Sequence, residues 1–476
     1  MNKHGQLSLS AGVQAFGICG CVCVALFSGG VNLASAQEAK TLTRFHDPVV
    51  VNTGILMGLP TRNTAGYRLY SVHQDVLSPI PFQFDERDDM GEIVFSETAA
   101  KNEFRLDEND ELVFMAKDTG DRIATELLPA TSDAAVEIEV TDPVTRARGW
   151  AYLLHFSGSM PPSSPVTYVR FDAETNQART SLYTVDNYPG RNFFTGLRIA
   201  PALGGTDENI LERMKLRVHP TFSLFLSTWS PLFTEEDFSV RIDGAKNGPV
   251  RAIRRVRLSL NLGRYFPEMP GGTAYTYYYF SSFTTPSIFS APWLVLKALQ
   301  DFQFTVVSEF RSSVSEMTYR DAANPQDLAF SAQKNEAETV TDKDHDWYVV
   351  GGKQGTYLQA FMIPERWKEW GIVRGTVFRS EPPAVGYSLL NMTNLRKPGN
   401  YHMNMIFVIL TRPYQTGDEV PPLVMLRQPL HIDAKTLQSR AEEKRTASTP
   451  GSSMTTTLPL RLAVERVRGT EEGGMP

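Results

Sequence analysis

The sequence predicts a mainly β fold: an N-terminal antiparallel β-sandwich module, then a larger β-sandwich domain, with few short helices. Two observations support this prediction. Runs rich in Val, Ile, Thr, Tyr and Phe recur along the chain, and Gly, Pro, Asn or Asp bound most of them. Several runs also alternate with period two. In one of them Val136, Ile138 and Val140 fall on one face, as expected for a half-buried antiparallel strand.

The predicted strands are spread over the whole chain. In order they are Val49–Leu56, Ala135–Val140, Trp150–Phe156, Thr167–Phe171, Phe238–Ile242, Arg251–Leu260, Ala274–Phe283, Phe302–Phe310, Gly355–Met362, Ile372–Phe378 and Met403–Leu410. Helices are predicted only at Ser290–Asp301 and from Pro364 to Trp370, where the proline takes a permitted first-turn position.

Composition shifts divide the chain. Residues 1–36 form a predicted signal peptide, and 37–157 form the N-terminal β module. The Ser- and Pro-rich stretch 158–165 is typical of a linker, and 166–433 form the large β-sandwich domain. Residues 434–476 contain few apolar side chains in their first half, which predicts a largely disordered tail.

The first 36 residues predict export. Lys3 precedes an apolar run from Ala15 to Val31, and Ala34-Ser35-Ala36 supplies the small residues of a cleavage site. We therefore expect cleavage after Ala36 and a periplasmic or secreted protein. The alternative is a lipoprotein with Cys21 as the lipidated residue. The apolar run continues past that cysteine, which favours cleavage after Ala36.

Composition excludes several classes of protein. The three cysteines lie within the signal segment, so the mature chain is expected to hold no disulfide, no thiol nucleophile and no covalently attached c-type haem. The chain has 47 Lys and Arg against 53 Asp and Glu. This acidic balance argues against nucleic acid as a partner. No segment after the signal is apolar for long enough to predict a membrane-spanning helix.

A run of acidic residues in the N-terminal module is a candidate calcium site. Asp107, Asn109 and Glu111 alternate along the chain, and side chains spaced in this way across a tight turn can converge on one cation. The run lacks the glycine and the final glutamate of an EF-hand loop. The alternative interpretation is a β-turn in which Asp and Asn bind their own backbone. No other cofactor is predicted.

The segment from Asp342 to Trp347 is the candidate catalytic motif. His345 lies between Asp344 and Asp346, so an imidazole with an orienting carboxylate is available for general acid–base chemistry. Trp347 follows as a candidate surface for stacking a sugar ring. The alternative is a solvated loop in which Trp347 anchors the start of a strand.

A basic strand supplies candidate substrate-binding residues. Arg251, Arg254 and Arg255 follow an Asn-Gly-Pro turn, and arginines bind the carboxylates of acidic glycans through paired hydrogen bonds. Tyr277 lies on the next predicted strand and offers an aromatic face to the same ligand. The alternative is that the arginines pair with acids of neighbouring strands and the tyrosine packs in the core.

The stretch from Gly248 through Val350 resembles the large antiparallel super-sandwich of galactose-mutarotase-like domains found in carbohydrate-active proteins. The shared feature is a Gly-Pro-Val-Arg turn into a long strand, followed by further long strands. Pro79–Arg87 and Asp110–Phe114 resemble the opening of exported bacterial proteins of that kind. The resemblance implies a mutarotase-like super-sandwich. The catalytic His and Glu of mutarotases have no matching positions here, and the fold also hosts binding proteins.

These observations favour an exported cell-envelope or secreted protein that binds a glycan without catalysis. One alternative is a lyase or epimerase acting on acidic sugars with His345 and a flanking aspartate. The other is a non-catalytic subunit of a cell-surface or extracellular electron-transfer assembly, whose partners are other envelope proteins. The sequence therefore leaves open whether the protein is an enzyme.

Overall fold

The computed structural model describes residues 38–437 except 57–58, 61–62, 96–105, 125–126, 189–192, 225–226, 262–268, 292, 315, 323, 325, 331–338, 341–344, 396–398, 412–414 and 416. Within this part the fold is mainly β, which confirms the predicted fold class. The predicted signal peptide and most of the predicted tail lie outside the described residues.

The N-terminal module is a sandwich of two antiparallel sheets. The smaller sheet has the order β1-β5-β4, and the larger has the order β28-β6-β7-β2-β3. Their strands are β1 Pro48–Asn52, β2 Tyr67–His73, β3 Val76–Pro79, β4 Gln83–Asp85, β5 Glu111–Met115, β6 Ala134–Thr141, β7 Arg148–His155 and β28 His431–Leu437. The core between the sheets includes Val136, Ile138 and Val140, the face predicted from the alternation.

Strand β28 comes from the far end of the chain. It pairs with β6 along its whole length, from His431 opposite Thr141 to Leu437 opposite Ala135. The strand therefore extends four residues past the boundary predicted at 433. This strand was not predicted because its apolar content is low. Asp433 and Lys435 alternate with Ile432 and Ala434 on an edge strand that buries only one face.

The large domain is built from three sheets. A four-stranded sheet has the order β11-β10-β9-β8 and contains β8 Val169–Asp172, β9 Gln177–Thr180, β10 Tyr183–Asn187 and β11 Phe194–Ile199. A seven-stranded sheet has the order β13-β12-β19-β26-β25-β22, with β14 also on β12. It contains β12 Leu211–Leu224, β13 Ser227–Trp229, β14 Phe233–Thr234, β19 Leu299–Phe310, β22 Thr339–Val340, β25 Val373–Arg379 and β26 Ala384–Leu390.

The largest sheet has nine strands in the order β15-β16-β17-β18-β27-β24-β23-β20-β21. They are β15 Phe238–Asn247, β16 Ala252–Leu260, β17 Met269–Tyr278, β18 Ser282–Ala291, β20 Thr318–Asp321, β21 Leu328–Ala329, β23 Trp347–Gly352, β24 Gly355–Met362 and β27 Gly399–Leu410. The main core lies between the seven- and nine-stranded sheets, where Val306 and Tyr387 of one sheet join Tyr348 and Phe407 of the other.

Three α-helices occur in the described residues: α1 Trp293–Ala298, α2 Glu365–Glu369 and α3 Val420–Arg427. Helix α1 is shorter than the helix predicted at 290–301, because strand pairing takes both ends of that segment. Ala291 pairs with Gly399, and Leu299 pairs with Phe222. Helix α2 follows Pro364, as predicted. None of these helices is both long and apolar enough to cross a membrane.

Candidate binding site

The predicted acid–base group, His345, lies just before β23 and is only 8% exposed. Its backbone N–H donates to the carbonyl of Arg374 at 3.1 Å, and its Nε2 is buried without a hydrogen-bond partner. Asp346 forms an ion pair with Arg427 of α3 at 2.7 Å. Asp344 lies outside the described residues. Trp347 packs in an apolar cluster against α3. The structure thus places this imidazole in the interior, and its catalytic role stays a prediction.

Arg251 lies where the N-terminal module packs on β16. Its Nε binds Asp85 Oδ2 at 2.7 Å, its Nη2 binds Glu111, and its guanidinium lies over the Tyr277 ring at 5.0 Å. Lys246 also binds Asp85, at 2.7 Å. We call Asp85, Glu111, Lys246 and Arg251 the module junction. This predicted substrate-binding arginine is enclosed by carboxylates of its own chain.

The electrostatics of the module junction follow from this pairing. Burial alone would raise the pKa of Asp85, but Arg251 and Lys246 hold that pKa below its usual value. Burial raises the pKa of Tyr277 to about 12, although Arg87 and Arg251 oppose the rise. Both shifts keep the tyrosine neutral and the carboxylate charged near neutral pH. The junction is therefore a buried ion-pair network that joins the two modules.

The remaining predicted arginines also face the N-terminal module or the core. Arg255 binds Asp243 at 2.9 Å and Glu92 at 3.2 Å, and its guanidinium lies 4.8 Å from the centre of the Phe95 ring. Arg254 is buried, and burial lowers its pKa. Arg255 thus pairs with acids of neighbouring segments of its own chain.

The acidic run at the candidate calcium site forms a turn. Asn109 N–H donates to Asp107 Oδ1 at 2.8 Å, and the buried Asp110 accepts from the N–H groups of Asp107 and Arg87. Glu111 gives one oxygen to Arg87 and the other to Arg251. Among the described residues, no group of three or more His, Cys, Asp or Glu is placed to hold a metal ion. A calcium ion would have to compete with two arginines for Glu111, and calcium binding stays a prediction.

A site that the sequence patterns did not indicate lies around α2. Trp367 of this helix packs against Tyr401 of β27 and Phe289 of β18, with ring centres 5.7 and 6.2 Å away. The rings of Phe289 and Tyr401 stack at 5.4 Å, because these residues are direct partners in the sheet. Arg366 lies over Trp370, 6.0 Å from the ring centre. We call these five residues the α2 cluster.

Three polar atoms of the α2 cluster are buried without a protein partner. They are Arg366 Nε, Trp367 Nε1 and Tyr401 Oη. Trp367 and Tyr401 are almost completely buried as whole residues. An unsatisfied buried donor costs about 1–3 kcal/mol, so three of them in one cluster are unusual for a purely structural core.

The charged group of the α2 cluster is held beside these atoms. Arg366 Nη2 donates to the carbonyl of Asn400, next to Tyr401, at 3.4 Å. Burial raises the pKa of Tyr401, and the charge of Arg366 only partly opposes this rise. The cluster therefore contains a permanent positive charge, a neutral phenol and an indole N–H, all of which can donate hydrogen bonds.

A second loop fixes the position of Trp370. Asn394 Nδ2 donates to the carbonyl of Trp370 at 2.7 Å, and Asn391 Nδ2 donates to that of Gly371 at 3.0 Å. Sequence reasoning predicted the helix that carries Arg366 and Trp370. It missed their site because Tyr401 and Phe289 come from strands that are distant in the sequence.

No family model matches the chain, that of the galactose-mutarotase-like domains included, and no curated protein matches it. Among solved structures it is similar to a glycosyl hydrolase family 38 protein from Enterococcus faecalis, with TM-score 0.46, 9% identity, and coverage of 86% of this chain and 48% of that chain. An alpha-mannosidase from Enterococcus faecalis V583 gives TM-score 0.45 and 9% identity over 86% of this chain and 45% of that one. The chain thus spans just under half the length of these two proteins.

A third solved structure is the Slr1438 protein from Synechocystis sp. PCC 6803. It gives TM-score 0.31 and 12% identity, and the match covers 54% of this chain and 100% of that chain. At such distances these similarities give no information about the activity of the present protein.

Proposed function

We propose that the protein binds an acidic glycan outside the cytoplasm without transforming it, and that the α2 cluster is the binding site. The observation that carries the proposal is the set of buried donors at Arg366, Trp367 and Tyr401 that have no protein partner. A ligand rich in oxygen acceptors would satisfy them, and the gain is large because the donors are already desolvated.

The chemistry of the cluster fits a uronic acid or a similar acidic sugar. The guanidinium of Arg366 suits a carboxylate, which it can bind through two parallel hydrogen bonds. The half-buried ring of Trp370 offers an apolar face for the sugar ring beside that charge. The indole N–H and the phenol are buried, so hydroxyl oxygens of the sugar would accept from them once the side chains that cover them move aside.

Binding is favoured over catalysis by the protonation states of the cluster. An arginine stays protonated, and the pKa of Tyr401 is raised further from neutrality. Neither group exchanges a proton near pH 7, which general acid–base catalysis requires. His345, the group predicted for that task, is buried elsewhere and belongs to another part of the chain.

Calorimetric titration of the exported protein with oligogalacturonate, and with a neutral dextran oligomer, tests the proposal. We expect Arg366→Gln to weaken binding of the acidic oligomer about tenfold or more, because a charge-assisted contact is lost. The matched control is Lys368→Gln on the same helix, since this lysine already pairs with Glu365. This control should leave the affinity almost unchanged.

Two outcomes contradict the proposal. Equal weakening by Arg366→Gln and Lys368→Gln would indicate non-specific attraction of a polyanion. Absence of binding by the wild type would show that the α2 cluster is not a glycan-binding site. Mass spectrometry of the recovered oligomer tests the non-catalytic part, because a cleaved or epimerised product would make the protein an enzyme. The proposal also includes cleavage after Ala36, so the exported protein should begin at Gln37.

A further inference from the structure

The five-stranded sheet of the N-terminal module is completed by a strand from the far end of the chain. Strands β6 and β7 come from the first part of the sequence, whereas β28 follows the whole large domain. In this sheet β28 is an edge strand, and it pairs with β6. Without β28, strand β6 would itself become the edge and would present a row of unpaired N–H and C=O groups.

The inner face of β28 is complementary to that of β6. Ile432 lies opposite Val140, and Ala434 lies opposite Ile138. The two β6 side chains are buried in the core between the two sheets, and the two β28 side chains pack against this core while only partly buried. The edge of β6 therefore suits a strand with apolar residues at alternate positions.

The outer face of β28 adds little to the pairing. His431, Asp433 and Lys435 are exposed. Asp433 also lies opposite Glu139, and like charges at opposite positions weaken a strand pair. Among the seven residues of β28 only Leu437 is buried, whereas most residues of β6 and β7 are buried. Strand β28 thus gains less from burial than its neighbours in the sheet.

The chain just before β28 is fixed on the large domain. Helix α3 packs against the apolar cluster of the nine-stranded sheet that contains Trp347. Its last residue, Arg427, forms the ion pair with Asp346 at 2.7 Å. Only residues 428–430 then connect α3 to β28. Detachment of β28 from β6 therefore leaves these contacts of the large domain in place.

A buried arginine holds the connection between α3 and β28. Arg44 Nη2 donates to the carbonyl of Gln428 at 2.8 Å. The same guanidinium pairs with Asp47 at 2.6 Å and with Asp142, in the turn after β6, at 3.4 Å. The two carboxylates keep the guanidinium on the N-terminal module. Gln428 is therefore the fixed point from which β28 can detach.

We propose that β28 is a releasable edge strand and that the edge of β6 is an acceptor site for an extended peptide. Its occupant in the intact protein is β28 of the same chain. Backbone hydrogen bonds along the edge supply affinity, and apolar side chains at the positions of Ile432 and Ala434 supply selectivity. Segments with few buried contacts open at a lower free energy than the whole fold. The release involves no residue of the α2 cluster, so it is independent of glycan binding.

Hydrogen exchange of the full exported protein, followed by mass spectrometry, tests the release. We expect the amides of β28 to exchange about a hundredfold or more faster than those of β24 in the large domain. Ile432→Asp/Ala434→Asp should accelerate exchange in β6 about tenfold and leave β24 unchanged, because it places charges on the core face. The matched control is His431→Gln/Lys435→Gln on the exposed face, which should exchange like the wild type.

A variant that strengthens the pairing tests the same equilibrium from the other side. Asp433→Lys replaces the like charge opposite Glu139 with an opposite charge, so it should slow exchange in β28 about threefold. Faster exchange in this variant would contradict the proposal.

A synthetic peptide of residues 428–437 tests the acceptor site. Added to the Ile432→Asp/Ala434→Asp protein, it should restore slow exchange in β6, and a peptide that carries the same two aspartates should not. Equal acceleration in β6 and β24 would overturn the proposal, because both modules would then open as one unit. Wild-type β28 amides that exchange as slowly as those of β24, or a lack of rescue by the peptide, would also overturn it. A wild-type dimer that Ile432→Asp/Ala434→Asp dissociates would assign the β6 edge to a second copy of the chain instead.

Discussion

Arg251 at the module junction and Arg366 in the α2 cluster are both packed against aromatic rings, but their partners differ. Arg251 meets the carboxylates of Asp85 and Glu111. Arg366 meets one backbone carbonyl, and its Nε is buried beside the unpaired groups of Trp367 and Tyr401. The carboxylates of the chain already neutralise Arg251. The donors around Arg366 lack acceptors, and a bound ligand would supply them.

Arginine and aromatic residues in a sequence therefore do not by themselves indicate a binding site. The decisive property is whether the fold supplies the counter-charges. At the module junction Gln83 and Asp85 from β4 approach the turn before β16 so closely that a side chain at Gly248 would overlap that of Gln83. The junction is therefore closely packed at this turn, although its residue types would suit a ligand.

We expect Arg251→Met and Arg366→Met to differ strongly in their effect on stability. The first substitution leaves Asp85 and Glu111 buried with less compensation, so we expect a loss of about 3 kcal/mol in the free energy of unfolding. The second removes a weak contact and should cost about 1 kcal/mol or less. Urea unfolding of both variants measures the difference.

Similar costs for the two variants would contradict the distinction between the sites. A small cost for Arg251→Met alone would show that Lys246 suffices to neutralise Asp85. Thermal unfolding at neutral pH provides a second measure, since Asp85 stays charged there.

A second expected effect is the pH dependence of the contact at His46, which also joins the two modules. Its Nδ1 lies 2.9 Å from Ser281 Oγ, and burial lowers the pKa of His46 to about 4. An unfolded histidine titrates near 6.5, so the unfolded chain takes up the proton first as the pH falls. The stability from neutral His46 is therefore complete above about pH 6.5 and is lost as the pH falls towards 4.

Between pH 7.5 and pH 5 this loss should amount to about 2 kcal/mol. Other groups titrate in the same range, so the measured quantity is the difference in urea unfolding between wild type and His46→Asn. The asparagine keeps a polar group near Ser281 and removes the titration. Parallel pH profiles for the two proteins would contradict the prediction, because they would show that the pKa of His46 is the same in the folded and unfolded states.

Local patterns predicted the fold class and the faces of strands, because both depend on neighbours in sequence. Val136 and Ile138 enter the core, while Glu137 turns to Arg122 on the other side of the sheet. The partners of these elements depend on chain-distant contacts. Nothing local to β6 indicates that β28 will pair with it, and nothing near Arg251 indicates Asp85.

The same reason explains the outcome for the candidate sites. The basic strand was recognised as arginine-rich. The acids that enclose Arg251 lie far before it in the sequence, in the N-terminal module, so no local pattern links them to it. The helix with Arg366 was predicted, but its aromatic neighbours arrive from β18 and β27.

The smallest expected effect compares two buried tyrosine hydroxyls. Tyr183 Oη lies 2.8 Å from the carbonyl of Tyr279 and 2.9 Å from that of Ser282, whereas Tyr401 Oη has no protein partner. Removing the satisfied hydroxyl in Tyr183→Phe should cost about 1 kcal/mol, because two buried carbonyls lose their donor. Removing the unsatisfied one in Tyr401→Phe should change the free energy of unfolding by about 0.5 kcal/mol or less, or raise it. Paired urea unfolding curves resolve this difference, and the same two proteins titrated with oligogalacturonate should show weaker binding only for Tyr401→Phe. If, without ligand, Tyr401→Phe lowers the free energy of unfolding as much as Tyr183→Phe does, the hydroxyl of Tyr401 already has a partner in the free protein. The α2 cluster would then be a structural core like the module junction.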